Sequence, residues 1–137
     1  MEDGQWKKKL SKEQYRILRL RQTETPYSGV LLHNDKTGKY LCGACGQTLF
    51  DSSTKFDSRS GWPSFNWPVN KKAIKLSEDR SLGIRRVEVS CARCGSHLGH
   101  VFNDAPDQPT GIRFCINSLA LDFKEKKIRD NLKKSRG

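Results

Sequence analysis

Cys42-Gly43-Ala44-Cys45-Gly46 and Cys91-Ala92-Arg93-Cys94-Gly95 are two copies of one CxxCG pattern. Two residues between cysteines let both thiolates of a tight turn point at one ion. The glycine that follows permits a left-handed backbone and a close approach of amides to sulfur. Two such turns facing each other make a tetrahedral site of four thiolates. A single CxxC also reads as a redox dithiol, but two matched copies favour a metal. Zinc is the first choice for a closed thiolate set, with iron second. Cys42, Cys45, Cys91 and Cys94 fill all four positions, so one structural Zn2+ per chain is expected, with no place for a substrate. Residues 46–90 lie between the pairs, so the ion would clip together two distant hairpins.

The fifth cysteine, Cys115, stands alone in Arg113-Phe114-Cys115-Ile116-Asn117-Ser118. A lone cysteine in a strand is commonly a small core residue. On a strand, however, Arg113, Cys115 and Asn117 share one face, and an arginine and an asparagine do not make a core face. A cation beside a thiol favours the thiolate, which is the reactive form. Two of the three histidines form His97-Leu98-Gly99-His100. They are good partners for a nucleophilic cysteine, with additional metal ligation as the competing use.

The chain that must position these groups has 137 residues, which suits one domain. Only 34% of its residues are hydrophobic and 30% are charged, so the core is modest and a metal would help it. No apolar run approaches the ~20 residues that span a bilayer, so no membrane partner is expected. MEDGQWKKKL shows no apolar segment of a secretory signal, which points to a cytoplasmic chain and against a disulfide framework. The formal net charge of +11 divides into +4 over residues 1–21, +4 over residues 122–137 and +3 over everything between. Most of the excess therefore lies at the ends, where solvated faces and frayed tails are common. It carries no argument for specific nucleic-acid binding.

Residues 1–9 read as a flexible N-terminus. A helix is expected to start after Leu10, with Ser11 as its cap and Gln14 completing a capping box. Leu10 and Tyr15 flank the box as a hydrophobic staple. Tyr15, Ile17, Leu18 and Leu20 would cover a core face, and Thr25-Pro26 would stop the helix. Tyr40–Cys42, Thr48–Phe50, Arg86–Cys91, Val101–Phe102, Arg113–Ile116 and Leu119–Phe123 read as short strands. Val87, Val89 and Cys91 alternate with Glu88 and Ser90, which is a half-buried pattern. Residues 34–38 read as a turn and 103–111 as a loop. The fold class predicted is mainly β and antiparallel, with an N-terminal helix packed on it. Residues 124–137 form a basic tail.

Taken together, these residues resemble the methionine-R-sulfoxide reductases of type B. The resemblance covers about residues 10–123. It rests on Gln14-Tyr15-Arg16, both CxxC pairs, Lys55-Phe56-Asp57-Ser58 and Gly61-Trp62-Pro63-Ser64-Phe65. Arg86-Val87-Glu88-Val89, His97–Phe102, Thr110-Gly111 and Arg113–Ser118 complete it. It implies two antiparallel sheets of a β-tent-like kind, a structural zinc away from the active site, and protein-repair reduction of methionine-R-sulfoxide under oxidative stress. By that resemblance Cys115 attacks the sulfoxide sulfur and His100 supplies a proton to the oxygen. His97, Arg113 and Asn117 orient the oxygen and the nucleophile. Trp62 forms the wall for the substrate methyl group, and Phe102 extends it; plain core packing is the competing reading for both aromatics.

One departure from the family pattern stands out. Many members have a resolving cysteine just before Gly-Trp-Pro-Ser-Phe, and Ser60 occupies that position here. The resulting Cys115 sulfenic acid would then need an external thiol, with thioredoxin, glutaredoxin and small thiols as candidates. Oxidised proteins or peptides would be the substrate, and a monomer is expected. A zinc-ribbon nucleic-acid-binding module is the alternative, but it gives no reason for Trp62, His100 and Cys115 together.

Overall fold

The structure is a computed structural model that describes residues 3–80 and 83–126. Two short helices lead the chain, α1 (Asp3–Lys9) and α2 (Lys12–Leu18). Nine strands follow among the described residues: β1 (Gly38–Cys42), β2 (Thr48–Asp51), β3 (Lys55–Phe56), β4 (Ser64–Phe65), β5 (Ile74–Asp79), β6 (Arg86–Cys91), β7 (His97–Phe102), β8 (Arg113–Ile116) and β9 (Leu121–Glu125). They make two antiparallel sheets. The smaller is ordered β2-β1-β9 and the larger β3-β4-β8-β7-β6-β5. No helix among the described residues is long and apolar enough to cross a membrane.

The expected cap forms at α2. Ser11 Oγ accepts from the Gln14 amide at 3.1 Å and the Gln14 side chain accepts from the Ser11 amide at 3.2 Å. Leu10 and Tyr15 are both buried beside it. The helix is shorter than expected, ending at Leu18 well before Thr25-Pro26, and Leu20 is 55% exposed. The ladder ends where the Leu20 and Gln22 amides bond back to the Tyr15 and Arg16 carbonyls at 3.2 and 3.0 Å and Arg21 takes a left-handed φ of 60°, while the Arg19 side chain donates to the Cys94 carbonyl and Ser96 Oγ. Residues 3–9 differ from the flexible segment expected. They form α1, which buries Trp6 between the cations of Lys9 and Arg19 at 5.6 and 5.3 Å from its ring. At the other end β9 runs on to Glu125, inside the expected tail; residues 127–137 lie outside the described residues.

The core lies between the sheets. Phe65 is its centre, 5.0 Å edge-on from Tyr40 and 4.4 Å from Phe50, and Phe50 in turn meets Phe114 at 5.9 Å. Such aromatic pairs contribute about 0.5–1.5 kcal/mol each beyond their buried area. They join β1 and β2 to β4 and β8. Three strands were not evident in the sequence: β3 and β4 are two residues long, and β5 is an edge strand whose middle is exposed. The pattern expected for β6 is partly inverted. Val87 is 37% exposed, whereas Glu88 and Ser90 are buried.

Register sets up the functional face. Ser64 lies opposite Cys115, Cys115 opposite His100, His100 opposite Glu88, and Glu88 opposite Ser77. One transverse row of the large sheet thus carries a thiol, an imidazole, a carboxylate and two hydroxyls. Farther along the strands Arg113 lies opposite Phe102, and Arg86 opposite Asp79. Between β6 and β7 the register slips: Val89 pairs with Gly99 but Ser90 with His97, so Leu98 is an extra residue. That bulge re-aims His97, bringing its ring 5.4 Å from that of His100. Gly99 is needed for the close approach of β7 and β8, because a Cβ there would lie 2.0 Å from the Cys115 carbonyl oxygen.

Candidate functional site

The two CxxCG segments fold as matched turns at the tips of two hairpins. Gly46 donates to the Cys42 carbonyl at 2.9 Å and Gly95 to the Cys91 carbonyl at 2.8 Å. Both glycines have the left-handed φ that the turn requires, 82° and 77°. The tips meet, one from each sheet, and the four sulfurs lie within 4.8 Å of one another. Cys42 and Cys94 are 3.7 Å apart and Cys45 and Cys91 3.6 Å. A tetrahedron with metal–sulfur bonds of ~2.3 Å has edges of about 3.8 Å, so the donor set and its spacing fit one ion. The crowding fits the same reading. Cys42 is pushed up by its contacts with the Cys91 and Cys94 thiols, and Cys94 is held down by those it accepts from Cys42 and Cys91. Lys9 donates to the Ala44 carbonyl at 2.6 Å and Arg19 to that of Cys94 at 3.0 Å, so the N-terminal helices fasten both turns from outside.

Cys115 is alone among the five cysteines in having no sulfur neighbour among these contacts. It is 8% exposed at the floor of a cleft of about 260 Å³. Arg113 Nη1 is 2.6 Å from its sulfur, and the Ser60 and Ser64 hydroxyls are at 3.4 and 3.6 Å. The guanidinium is itself pinned. Asp104 takes two bonds from it at 2.9 Å, and Phe102 lies under it at 4.4 Å. Bonding to Asp104 holds the guanidinium charged, and the same bond holds Asp104 below the usual carboxylate range. A hydrogen bond from that cation is charge-assisted when the sulfur is the thiolate.

Two histidine–carboxylate pairs stand behind the cleft. His100 Nε2 and Asp79 Oδ2 are 2.7 Å apart, and Arg86 reaches the same oxygen at 3.4 Å. His97 Nδ1 and Glu88 Oε2 are also 2.7 Å apart, and Arg21 grips Glu88 through two bonds of 3.0 and 2.8 Å. His100 lines the cleft but His97 does not. His97 is 2% exposed, burial pushes its imidazole below the usual histidine range, and its buried Nε2 has no hydrogen-bond partner among the described residues.

Asn117 lines the cleft, yet its amide is largely committed to the walls. Nδ2 donates to the Leu98 carbonyl at 2.9 Å and Oδ1 accepts from the Glu24 amide at 2.9 Å. Trp62 lines the opposite side, its indole N–H donating to the Glu24 carbonyl at 3.1 Å. Glu24 is therefore a hidden hub of the site. It is 6% exposed, burial raises its carboxyl, and it accepts from the Leu119 amide at 2.9 Å.

The structure thus gathers Cys115, Arg113, His100, Asn117, Trp62 and Phe102 around one cleft, with His97 behind. It adds Glu24, Asp79, Glu88 and Asp104. A carboxylate in the middle of Val87-Glu88-Val89 was a visible signal; Glu24, Asp79 and Asp104 gave none. A larger, more apolar groove of about 670 Å³ runs across the other face of the large sheet and meets the cleft only at Arg86 and Phe102. Cys115, Arg113 and His100 line the smaller cleft and not this groove. That cleft suits nucleophilic attack by a cation-supported sulfur on a small group with a polar end and an apolar flank.

Residues 10–125 match the SelR domain family. The chain is 54% identical to peptide methionine sulfoxide reductase MsrB of Methanosarcina barkeri, over 89% of this chain and 85% of that protein. It is 52% identical to that of Leptospira interrogans over 90% and 93%, and 54% identical to that of Leifsonia xyli over 88% and 87%. The solved Mis18 'Yippee-like' domain superposes with a TM-score of 0.53 at 18% identity, covering 67% of this chain and 99% of that one. That likeness concerns the fold alone.

Proposed function

The chain belongs to the SelR-domain family of peptide methionine sulfoxide reductases, and from that premise we propose that it reduces methionine-R-sulfoxide in polypeptides through Cys115. The observation that carries this is the Arg113–Cys115 contact of 2.6 Å in the same cleft as His100 and Trp62. The Cys115 thiolate attacks the sulfoxide sulfur. His100 delivers a proton to the oxygen as the sulfur–oxygen bond of the substrate is lost. Methionine leaves, and the oxygen stays as a Cys115 sulfenic acid. Trp62 and Phe102 shelter the methyl group, the kind of apolar contact a thioether favours. Arg113 steadies the sulfur, and Asn117 with Glu24 keeps the walls in place.

The second half of the cycle needs another molecule. Ser60, 3.4 Å from Cys115, has no thiol to offer. The other four cysteines are grouped at the hairpin tips, where the fit favours one structural zinc held by Cys42, Cys45, Cys91 and Cys94. An external thiol therefore forms a mixed disulfide with Cys115, releasing water. A second thiol then frees the enzyme, so two thiols become one disulfide per methionine made. Thioredoxin, glutaredoxin and small thiols have the required chemistry.

The test is turnover of R- and S-sulfoxide peptides with dithiothreitol, wild type against Cys115→Ser. R-specific turnover lost in the variant supports the reading. Turnover that survives, or preference for the S epimer, sinks it. Dimedone labelling after one turnover should mark Cys115, and an internal disulfide to a hairpin-tip cysteine would overturn the one-cysteine cycle.

A further inference from the structure

Asp79 and Arg86 have no role in the reaction as described, yet both converge on the imidazole that does. We propose that Asp79, braced by Arg86, is the positioning residue for His100, engaging Nε2 so that Nδ1 is the nitrogen left to exchange a proton in the cleft. This rests on the reading of His100 as the acid.

Asp79 ends β5, the edge strand, and His100 is on β7, two strands away. The carboxylate reaches over β6 to meet Nε2 at 2.7 Å. It is 7% exposed, and a carboxylate so deeply buried is costly unless its charge is matched. Arg86, directly opposite on β6, contributes the matching cation at 3.4 Å. An imidazole has two distinct nitrogens, and the hydrogen bond made by one decides what the other can do. With Nε2–H donating to Asp79, neutral His100 presents an Nδ1 lone pair. On protonation that same atom becomes the donor, while the carboxylate balances the new charge. The groups around His100 also include Glu88 on β6, Cys115 and Arg113 on β8, and His97 on its own strand. Of these, Glu88 is already engaged by His97 and Arg21, and Arg113 by Asp104 and Cys115. The neighbouring Glu88–His97 pair is made through the other ring nitrogen, Nδ1, and lies away from the cleft, so it serves as an internal control.

The experiment has two readouts on the full chain: long-range proton–nitrogen correlation spectra of the His100 ring, and pre-steady-state formation of the sulfenic acid with a saturating sulfoxide peptide. Wild type is expected to show the Nε2-protonated neutral form. Asp79→Asn should mix or invert the two forms and slow sulfenic acid formation ~100-fold, with KM changed less than about threefold. Asp79→Glu should recover much of the rate and the wild-type ring signature. Glu88→Gln should leave the His100 signature in place. A wild-type ring protonated at Nδ1 when neutral, or an Asp79→Asn variant with unaltered ring form and rate, would overturn the inference. The ring spectra need no turnover, so they judge the positioning role even if the assignment of the reaction failed.

Discussion

The hairpin-tip cluster and the cleft use the same side chain for opposite ends. At the tips each cysteine has sulfur for company, and hydrogen bonds from Lys9 and Arg19 end on backbone carbonyls. In the cleft Cys115 has a guanidinium at 2.6 Å and two hydroxyls. Burial does not distinguish them, since Cys42, Cys91 and Cys115 are all buried. The neighbours do. A thiolate matched by other thiolates around a cation becomes a ligand, whereas one matched by a single fixed arginine stays available as a nucleophile. The first arrangement joins the two sheets, and the second works on only one of them.

The largest effect should come from removing the metal end. Cys45→Ser, or chelation of the wild type, would take away the ion that the four thiolates fit, and the binding free energy of a structural zinc in zinc-finger peptides is about 10–16 kcal/mol and is coupled to folding. Thermal unfolding should show a collapse of tens of degrees and lost activity. A stable, active chain without metal would erase the structural half of the contrast. Next comes Arg113→Met. It should slow sulfenic acid formation by ~100-fold while moving Tm little, and an equally large loss of stability would show that the arginine is a structural brace. Trp6→Ala probes the reverse. It should cost about 3–5 kcal/mol and speed metal release to a chelator, with kcat at low temperature near that of the wild type. A selective loss of kcat would mean that the two regions are coupled.

The smallest effect concerns pH. Burial holds His97 below the usual histidine range. At acid pH the unfolded chain takes up a proton that the folded one refuses. Its contribution is therefore complete above the ordinary value of about 6.5 and is lost as pH falls toward the folded value. Tm of the wild type should drop by a few degrees between about pH 7.5 and 5.5, and His97→Gln should flatten that slope. An unchanged slope would assign the acid sensitivity to other groups, the metal thiolates first.

How much of this was legible depended on whether a residue's meaning was local. The CxxCG turns, the Ser11–Gln14 cap and the shared face of Arg113, Cys115 and Asn117 follow from spacing of a few residues, and they were read directly. Glu24 is informative only because the fold brings it to Asn117 and Leu119, and Asp79 only because β5 is placed two strands from β7. His97 shows the limit well. Its type and its distance from His100 suggested a shared role, but the bulge at Leu98 gives it a buried partner of its own. The helix that periodicity alone would have continued ends in the backbone, where Arg21 turns left-handed and the Leu20 and Gln22 amides bond back to Tyr15 and Arg16.

The Glu24 junction has a consequence for how the molecule comes together in time. Its bonds to Asn117 and Leu119 span 93 and 95 residues, and Trp62 is fastened to the same residue. Contacts of such separation are slow to form, since the intervening chain must be closed before they repay it. The β5-β6-β7-β8 part of the large sheet, made of chain neighbours, can assemble before this junction closes. A chain caught at that stage would hold a cysteine and a histidine in register but lack the fixed indole wall. Catalytic competence is therefore a report of complete folding, and a damaged copy of this reductase would fall silent as soon as Glu24 parts from Asn117 and Leu119.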